Sequence, residues 1–232
     1  MSTVARNQQR SSTSGDGSRE SAQVAAASGA LRRRPVQQRS TERVTRMLDA
    51  CAELLDEVGY TKLTTTLIAN RADVAIGSVY QFFGDKRAVV RALGMRHLEV
   101  FFESLATHIA QRQPAHWWDL VDIAIDEYIA MHRSEPGFRT THFGDAVDIN
   151  LLDDSRTNND VLTDRIERLL DEHFNIGSPR GLDMALTVAV ETADALIKLA
   201  FRRDPDGDPA LLAEAKKIIR QYLATYVQDR DS

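Results

Sequence analysis

Only one cysteine occurs in the 232 residues, Cys51, so an internal disulfide and a cysteine-based zinc site are both excluded. Cys51 falls within an apolar pattern of helical spacing and reads as a reduced core thiol. No apolar run approaches the ~20 residues needed to cross a bilayer. Nor does an apolar segment follow Arg6 and Arg10, as a secretory signal requires. A soluble, cytoplasmic protein with no membrane partner is therefore expected. Glycine-rich phosphate loops and nucleophile elbows are missing. The histidines, at 97, 108, 116, 132, 142 and 173, form no pair at one-turn spacing with a fitting third ligand. The acid pairs Asp153-Asp154 and Asp171-Glu172 read as solvated surface. No catalytic residue, no metal site and no cofactor are expected.

What is present is an ordinary globular composition, with 43% hydrophobic and 27% charged residues, which excludes disorder throughout and fibrous repeats. The length suffices for a sizeable core in one domain or two small ones. Charge is uneven along the chain. Residues 1–39 hold seven arginines against Asp16 and Glu20, a net charge of +5, so the remainder carries −10. This first stretch is rich in Ser, Ala, Gln and Arg and has almost no large apolar residue. It cannot bury enough surface to offset ordering entropy, so a disordered basic N-terminal arm is expected over 1–39. Its end, LRRRPVQQR at 31–39, fits a solubilising tail and a nucleic-acid contact equally well.

From Ser40 onward the pattern is helical. Val44, Met47, Leu48, Cys51, Leu54, Leu55 and Val58 recur three and four apart, with Ser40 placed to cap the start and Gly59 to close the end. Thr64 caps a second helix through Ala72, and a tight turn at Asp73-Val74 leads into a third over about 75–82. A long helix is predicted over 86–110, and Pro114 ends it. Further helices follow around 117–133, 139–151 and 161–170, with a polar loop over 153–159. Two more run from after Pro179 to about 203, and from Pro209 to about 228 beyond the turn DPDGD. Sustained strand alternation is absent. The fold class is all-α.

One stretch carries a mechanism, TTTLIANRADVAIGSVYQFFGDK at 64–86. Two short helices joined by a tight turn, with small Ala69 in the first and apolar Val74 and Val79 after the turn, fit a helix-turn-helix. Gly77, Ser78, Tyr80 and Gln81 leave the third helix polar on its free face, suited to a major groove. A generic three-helix bundle has the same spacing.

The residues Leu63-Thr64-Thr65, Ile68-Ala69, Val74 and Gly77 through Lys86 resemble the N-terminal domain of the TetR (tetracycline repressor) family of bacterial regulators. The likeness covers about residues 40–100; beyond it, only helix content, chain length and a long connecting helix correspond. It implies a DNA-binding helix-turn-helix domain over 40–100, with its motif at 64–83, and a helical effector-binding and dimerisation domain over 101–232. Three positions depart from the family's usual pattern: Asp73 stands where Gly is common, Ala75 where Ser or Thr often caps, and Phe82 where His is frequent. Asp accepts a left-handed backbone better than most residues, whereas Ala75 offers no cap and Phe82 removes a polar contact.

Tyr80 and Lys86 match positions that usually hold phosphates, and such contacts set register without reading sequence. Thr65, at a helix start, is a further phosphate donor. Ser78 and Gln81 are candidates for base edges, Gln because it bonds adenine at two points. Gly77 allows close backbone approach, while Thr66 faces either DNA or solvent. Arg32, Arg33, Arg34 and Arg39 follow an adjacent minor groove if the arm is not merely solubilising.

Residues 40–90 carry six cations against seven carboxylates, a net charge of −1. One domain of that charge binds DNA weakly, because phosphate neutralisation drives affinity. A homodimer on a palindromic operator is therefore expected. The stretch 182–201 is apolar around most of its circumference, and Leu211, Leu212, Ala215, Ile218, Ile219, Tyr222, Leu223 and Tyr226 stripe the last helix. Pairing of these two helices across a twofold axis supplies the dimer, part of each stripe serving the core.

Aromatic residues concentrate between 101 and 143, beside polar His132, Arg139, His142, Asp145 and Asp148. Phe102, Trp117, Tyr128, His132 and Phe143 are the candidate lining of a small-molecule effector pocket, against ordinary core packing for any single aromatic. The resulting reading is a ligand-responsive regulator, a repressor released from double-stranded DNA by its effector. The alternative is an all-helical carrier or enzyme that binds no DNA. Deleting residues 1–38 is expected to flatten the dependence of DNA affinity on salt; an unchanged slope assigns the arm to solubility alone.

Overall fold

The computed structural model describes residues 17–141, 158–177 and 179–227. Among them every regular element is a helix: α1 (Gly17–Lys62), α2 (Thr65–Arg71), α3 (Ile76–Phe82), α4 (Lys86–Arg112), α5 (Trp117–Ser134), α6 (Phe138–Thr141), α7 (Asn158–Phe174), α8 (Leu182–Arg203) and α9 (Pro209–Leu223). The chain divides into two compact units, Met1–Thr45 and Arg46–Ser232. In the first, the described backbone is helical from Gly17 onward. The helix thus begins at Gly17 rather than at Ser40, within the stretch expected as a disordered basic arm over 1–39, of which residues 1–16 lie outside the described residues. Apolar content governs packing, but a helix already begun extends without a new nucleus. Ala22, Ala25, Ala26, Ala27 and Ala30 favour that extension.

The second unit joins head and body without a break near residue 100, because α4 runs straight through that point for about 40 Å. Met47, Leu48, Cys51, Leu54 and Leu55 are buried on α1, as their spacing requires. Burial pushes the Cys51 thiol up to about 12, leaving it protonated and inert. Gly59, at φ 72, breaks the helical geometry of α1 one turn before its end. The Thr64 hydroxyl accepts from Leu67 N at 3.1 Å and starts α2. Asp85 does the same for α4 through Ala88 N at 2.8 Å, and Asp208 for α9.

Helix α2 ends in a Schellman closure. Asp73 takes the left-handed conformation at φ 51, Val74 N donates to Ala69 O at 3.0 Å, and Asp73 N donates to Asn70 O at 3.3 Å. The closure satisfies two terminal carbonyls and aims the chain into α3. Ala69 and Val79 are buried between the two short helices. Arg71 donates to Glu53 and Glu57 on α1, tethering α2 from outside through an exposed pairing that solvent screens. Its guanidinium beside Glu57 holds that carboxyl below the ordinary range.

The body forms one core from α4, α5, α7, α8 and α9, with Phe101, Leu105, Leu120, Met131, Leu170, Leu182 and Ile197 near its centre. The α5–α6 turn anchors this body to α1. Gly137 N donates to the Asp56 carboxylate at 2.8 Å, and a Cβ on Gly137 would stand 2.9 Å from the Ala52 α-carbon. Phe138, fully buried, meets the rings of His97, Tyr128 and His132 edge-on, with centroids 5.3, 5.5 and 4.9 Å away. Helix α9 stops at Leu223 rather than near 228, closed by the turn at 224–226. Asn158 and Asn159, expected in a loop, begin α7; most of the helical piece expected over 139–151 lies outside the described residues.

Gly137→Ala is expected to lower stability by at least about 2 kcal/mol, from the positive φ of 73 and the collision with Ala52, as read by urea unfolding. Burial lowers the His97 imidazole to about 4, with Arg96 adding to it, and burial lowers His132 to about 4 as well. The unfolded histidines take up protons near pH 6.5 while the folded ones resist until about pH 4. Stability is therefore complete above pH 6.5 and falls progressively below it, by up to about 3 kcal/mol per histidine. A urea midpoint unchanged between pH 7 and pH 5, above most carboxylate titration, contradicts this assignment.

Candidate functional site

Helix α3 presents Tyr80 outward, 56% exposed, with its hydroxyl 3.2 Å from the Thr65 hydroxyl at the start of α2. The two residues expected on phosphates thus stand together. Gln81 and Gly77 are exposed and Ser78 is half-buried. Space around Gly77 is open, with nothing within 4 Å of a Cβ built there, so nothing within the chain demands glycine. Ile76 and Leu67 are also exposed, and the sequence reading overlooked both. An apolar side chain on such a face suits a thymine methyl, a role hidden by its resemblance to a core residue.

Lys86 departs from its expected place. Its ammonium donates to Tyr60 O and Leu63 O at 3.1 Å each and lies over the Tyr60 ring at 4.4 Å. It satisfies the carbonyls that end α1, where a cation is favoured. Arg87, exposed on the next residue, has no ion-pair partner among the described residues. Thr66 is exposed as well, and Arg46 donates to Asp73 O at 3.4 Å, bracing the turn.

A cavity of about 60 Å³ lies in the body, walled by α4, α5, α7, α8 and α9. Phe101, Val121, Ala124, Ile125, Leu162, Ile166, Leu186, Ala189, Val190, Ala193, Ile197, Ile219 and Leu223 make its apolar surface. Tyr128, Asn159 and Asp194 are its polar members. The Tyr128 hydroxyl donates to one Asp194 oxygen at 2.5 Å, and the Lys198 ammonium pairs with the other at 2.5 Å.

Of the five residues expected to line a pocket, Tyr128 does. Phe102 lies beside the cavity rather than on it: successive helical residues point about 100° apart, and Phe101 takes the inward position. The Phe102 ring instead meets Phe101 edge-on and carries the Arg165 guanidinium 4.0 Å from its centroid. Trp117 is buried against Trp118. His132 stacks on Phe201 and engages Tyr128 O through Nδ1 at 2.9 Å, so it belongs to the Phe138 anchor. Phe143 lies outside the described residues, as do His142, Asp145 and Asp148. The walls from α7 and α8 were not foreseen, since their cavity-facing residues read as plain apolar stripes.

Apolar side chains remain uncovered on the last two long helices. Met184 is 63% exposed, and Val188 one turn along α8 and Ile218 on α9 are exposed too. Among the described residues no helix is long and apolar enough to cross a membrane, and no group of three or more His, Cys, Asp or Glu side chains is placed to hold a metal ion.

Residues 47–93 match the family model for bacterial regulatory proteins of the tetR family, and residues 115–227 match that for the tetracyclin repressor-like C-terminal domain. The structure is similar to that of a TetR-family transcriptional regulator from Streptomyces coelicolor, 41% identical, with a TM-score of 0.68, covering 80% of this chain and 99% of that one. A fatty acid degradation regulator from Bacillus halodurans shares the fold at 19% identity and a TM-score of 0.60, over 78% of this chain and 94% of that one. An uncharacterized HTH-type transcriptional regulator of Mycobacterium tuberculosis is 35% identical over 83 residues, 34% of this chain. The chain spans 43% of the length of that curated relative. With a helix-turn-helix head on an all-helical body, both parts matched, the chain belongs to the TetR family of bacterial transcriptional regulators.

Proposed function

We propose that the protein is a ligand-responsive, homodimeric repressor that leaves a palindromic operator when a small molecule enters the cavity. The observation that carries this reading is the outer face of α3. Tyr80, Gln81 and Gly77 stand exposed there, and nothing inside the fold requires them. Thr65 and Tyr80 hold phosphates as a pair, Ser78 and Gln81 read base edges, and Gly77 admits the backbone to the groove. Lys86 stays on its carbonyls and fixes the angle of α4 against α1, leaving Arg87 for the phosphate. Met184, Val188 and Ile218 meet their twofold mates, which supplies the second head that a domain of charge −1 needs.

Response to a ligand needs a route from cavity to head. Tyr128 lines the cavity, packs on Phe138, and the adjoining Gly137 is bonded to Asp56 of α1. A ligand that binds better when Tyr128 is displaced loosens this anchor and changes the spacing of the two heads. The protein performs no chemistry of its own in this reading.

A gel-shift assay with the DNA upstream of the protein's own gene tests it. Specific retardation is expected, and Gln81→Ala should cost about 1–3 kcal/mol with relaxed preference at one base position. Absence of specific retardation with any genomic fragment returns the chain to the class of helical carriers or enzymes.

A further inference from the structure

Asn159 lines the cavity near the start of α7 and is 2% exposed. Its Nδ2 donates to a Glu191 oxygen at 2.8 Å, which fixes the orientation of the amide. A flipped amide would set its oxygen against the carboxylate, two acceptors with no proton between them. Oδ1 is thereby turned away from Glu191, buried, and has no hydrogen-bond partner among the described residues. One turn along α7, the buried hydroxyl of Thr163 also lacks a partner. An acceptor left so costs stability until a donor reaches it, and apart from Tyr128 and Asp194, which bond each other, the rest of the cavity lining is apolar.

Charge in the cavity is already balanced. The Asp194 carboxylate has the Tyr128 hydroxyl on one oxygen and the Lys198 ammonium on the other. A charged ligand would therefore bring an uncompensated charge into an apolar space. Resting on the ligand-binding reading above, we propose that the effector is a neutral, single-ring or short-chain molecule with one O–H or N–H donor, and that Asn159 Oδ1 is the specificity-determining acceptor for that donor. The cavity of about 60 Å³ holds only a few non-hydrogen atoms as it stands, so a ring presses its walls outward.

Calorimetric titration of the full chain with phenol, with toluene (the same shape without the donor) and with benzoate tests this. Phenol is expected to bind about tenfold more tightly than toluene, one hydrogen bond's worth, and benzoate more weakly than phenol. Asn159→Leu should bring phenol and toluene within twofold of each other while keeping toluene binding; Thr163→Val should leave the preference for phenol intact. Equal binding of phenol and toluene to the native chain, or a preference that survives Asn159→Leu, overturns the assignment of the acceptor and leaves the cavity reading standing. Tighter binding of benzoate than of phenol overturns the neutral class. Binding of none of the three removes the cavity reading and this inference together. Should Asn159→Leu fail to fold, the comparison of phenol with toluene on the native chain decides alone.

Discussion

Between α1 and the α5–α6 turn there is no room for a side chain. Gly137 approaches the Ala52 backbone so closely that its amide reaches the Asp56 carboxylate, and Phe138 follows directly into a pocket of three aromatic rings. A turn in a left-handed conformation, a buried ring and a charge-assisted hydrogen bond thus meet within two residues. The geometry of the head against the body depends on this junction together with the Arg96–Asp49 ion pair at 2.6 Å. The histidines beside Phe138 stay neutral because burial disfavours their charge, so the junction is apolar apart from its edge.

The head divides its polar groups between two tasks. Arg71, Arg46 and Lys86 are engaged along α1 and the turn, where they tie helices together and meet terminal carbonyls. Thr65, Tyr80 and Gln81 face outward with no comparable duty. Cations engaged in these contacts leave the outward face with little free positive charge, beside a net charge of −1 over residues 40–90. The orientation of the short helices is set by this network along α1 and the turn.

The cavity follows a related division. Its polar members are tied to α8: Tyr128 of α5 bonds Asp194, which pairs with Lys198 one turn along the same helix, and Asn159 of α7 bonds Glu191. Lys198 offsets the charge of Asp194, the links join α5 and α7 to α8, and of the three polar lining residues it is Asn159 whose amide oxygen remains without a partner among the described residues. Selectivity in such a space arises less from many contacts than from the cost of leaving one buried acceptor unmet.

Much of the fold was legible because its causes are local. The spacing of Met47, Leu48, Cys51, Leu54 and Leu55 marks a buried helical face. Thr64 and Pro209 mark helix starts, and Asp73 marks a left-handed closure. The motif at 64–83 could be read because caps, turn and small residue sit within one short stretch. The extent of α1 was misjudged, since composition reports what a segment can bury and not whether a neighbouring helix extends through it. Lys86 was read as a phosphate contact because its partners, the carbonyls of Tyr60 and Leu63, lie more than 20 residues away. Phe101 rather than Phe102 faces the cavity, and Asn159 opposes Glu191, for a similar reason. The sequence by itself determined the capped helix starts, the turn at Asp73 and which faces are apolar, because those depend on neighbours within a few residues. Only the tertiary structure decided which face meets which helix, which polar atoms are spent and which remain, because that depends on groups brought together from distant parts of the chain.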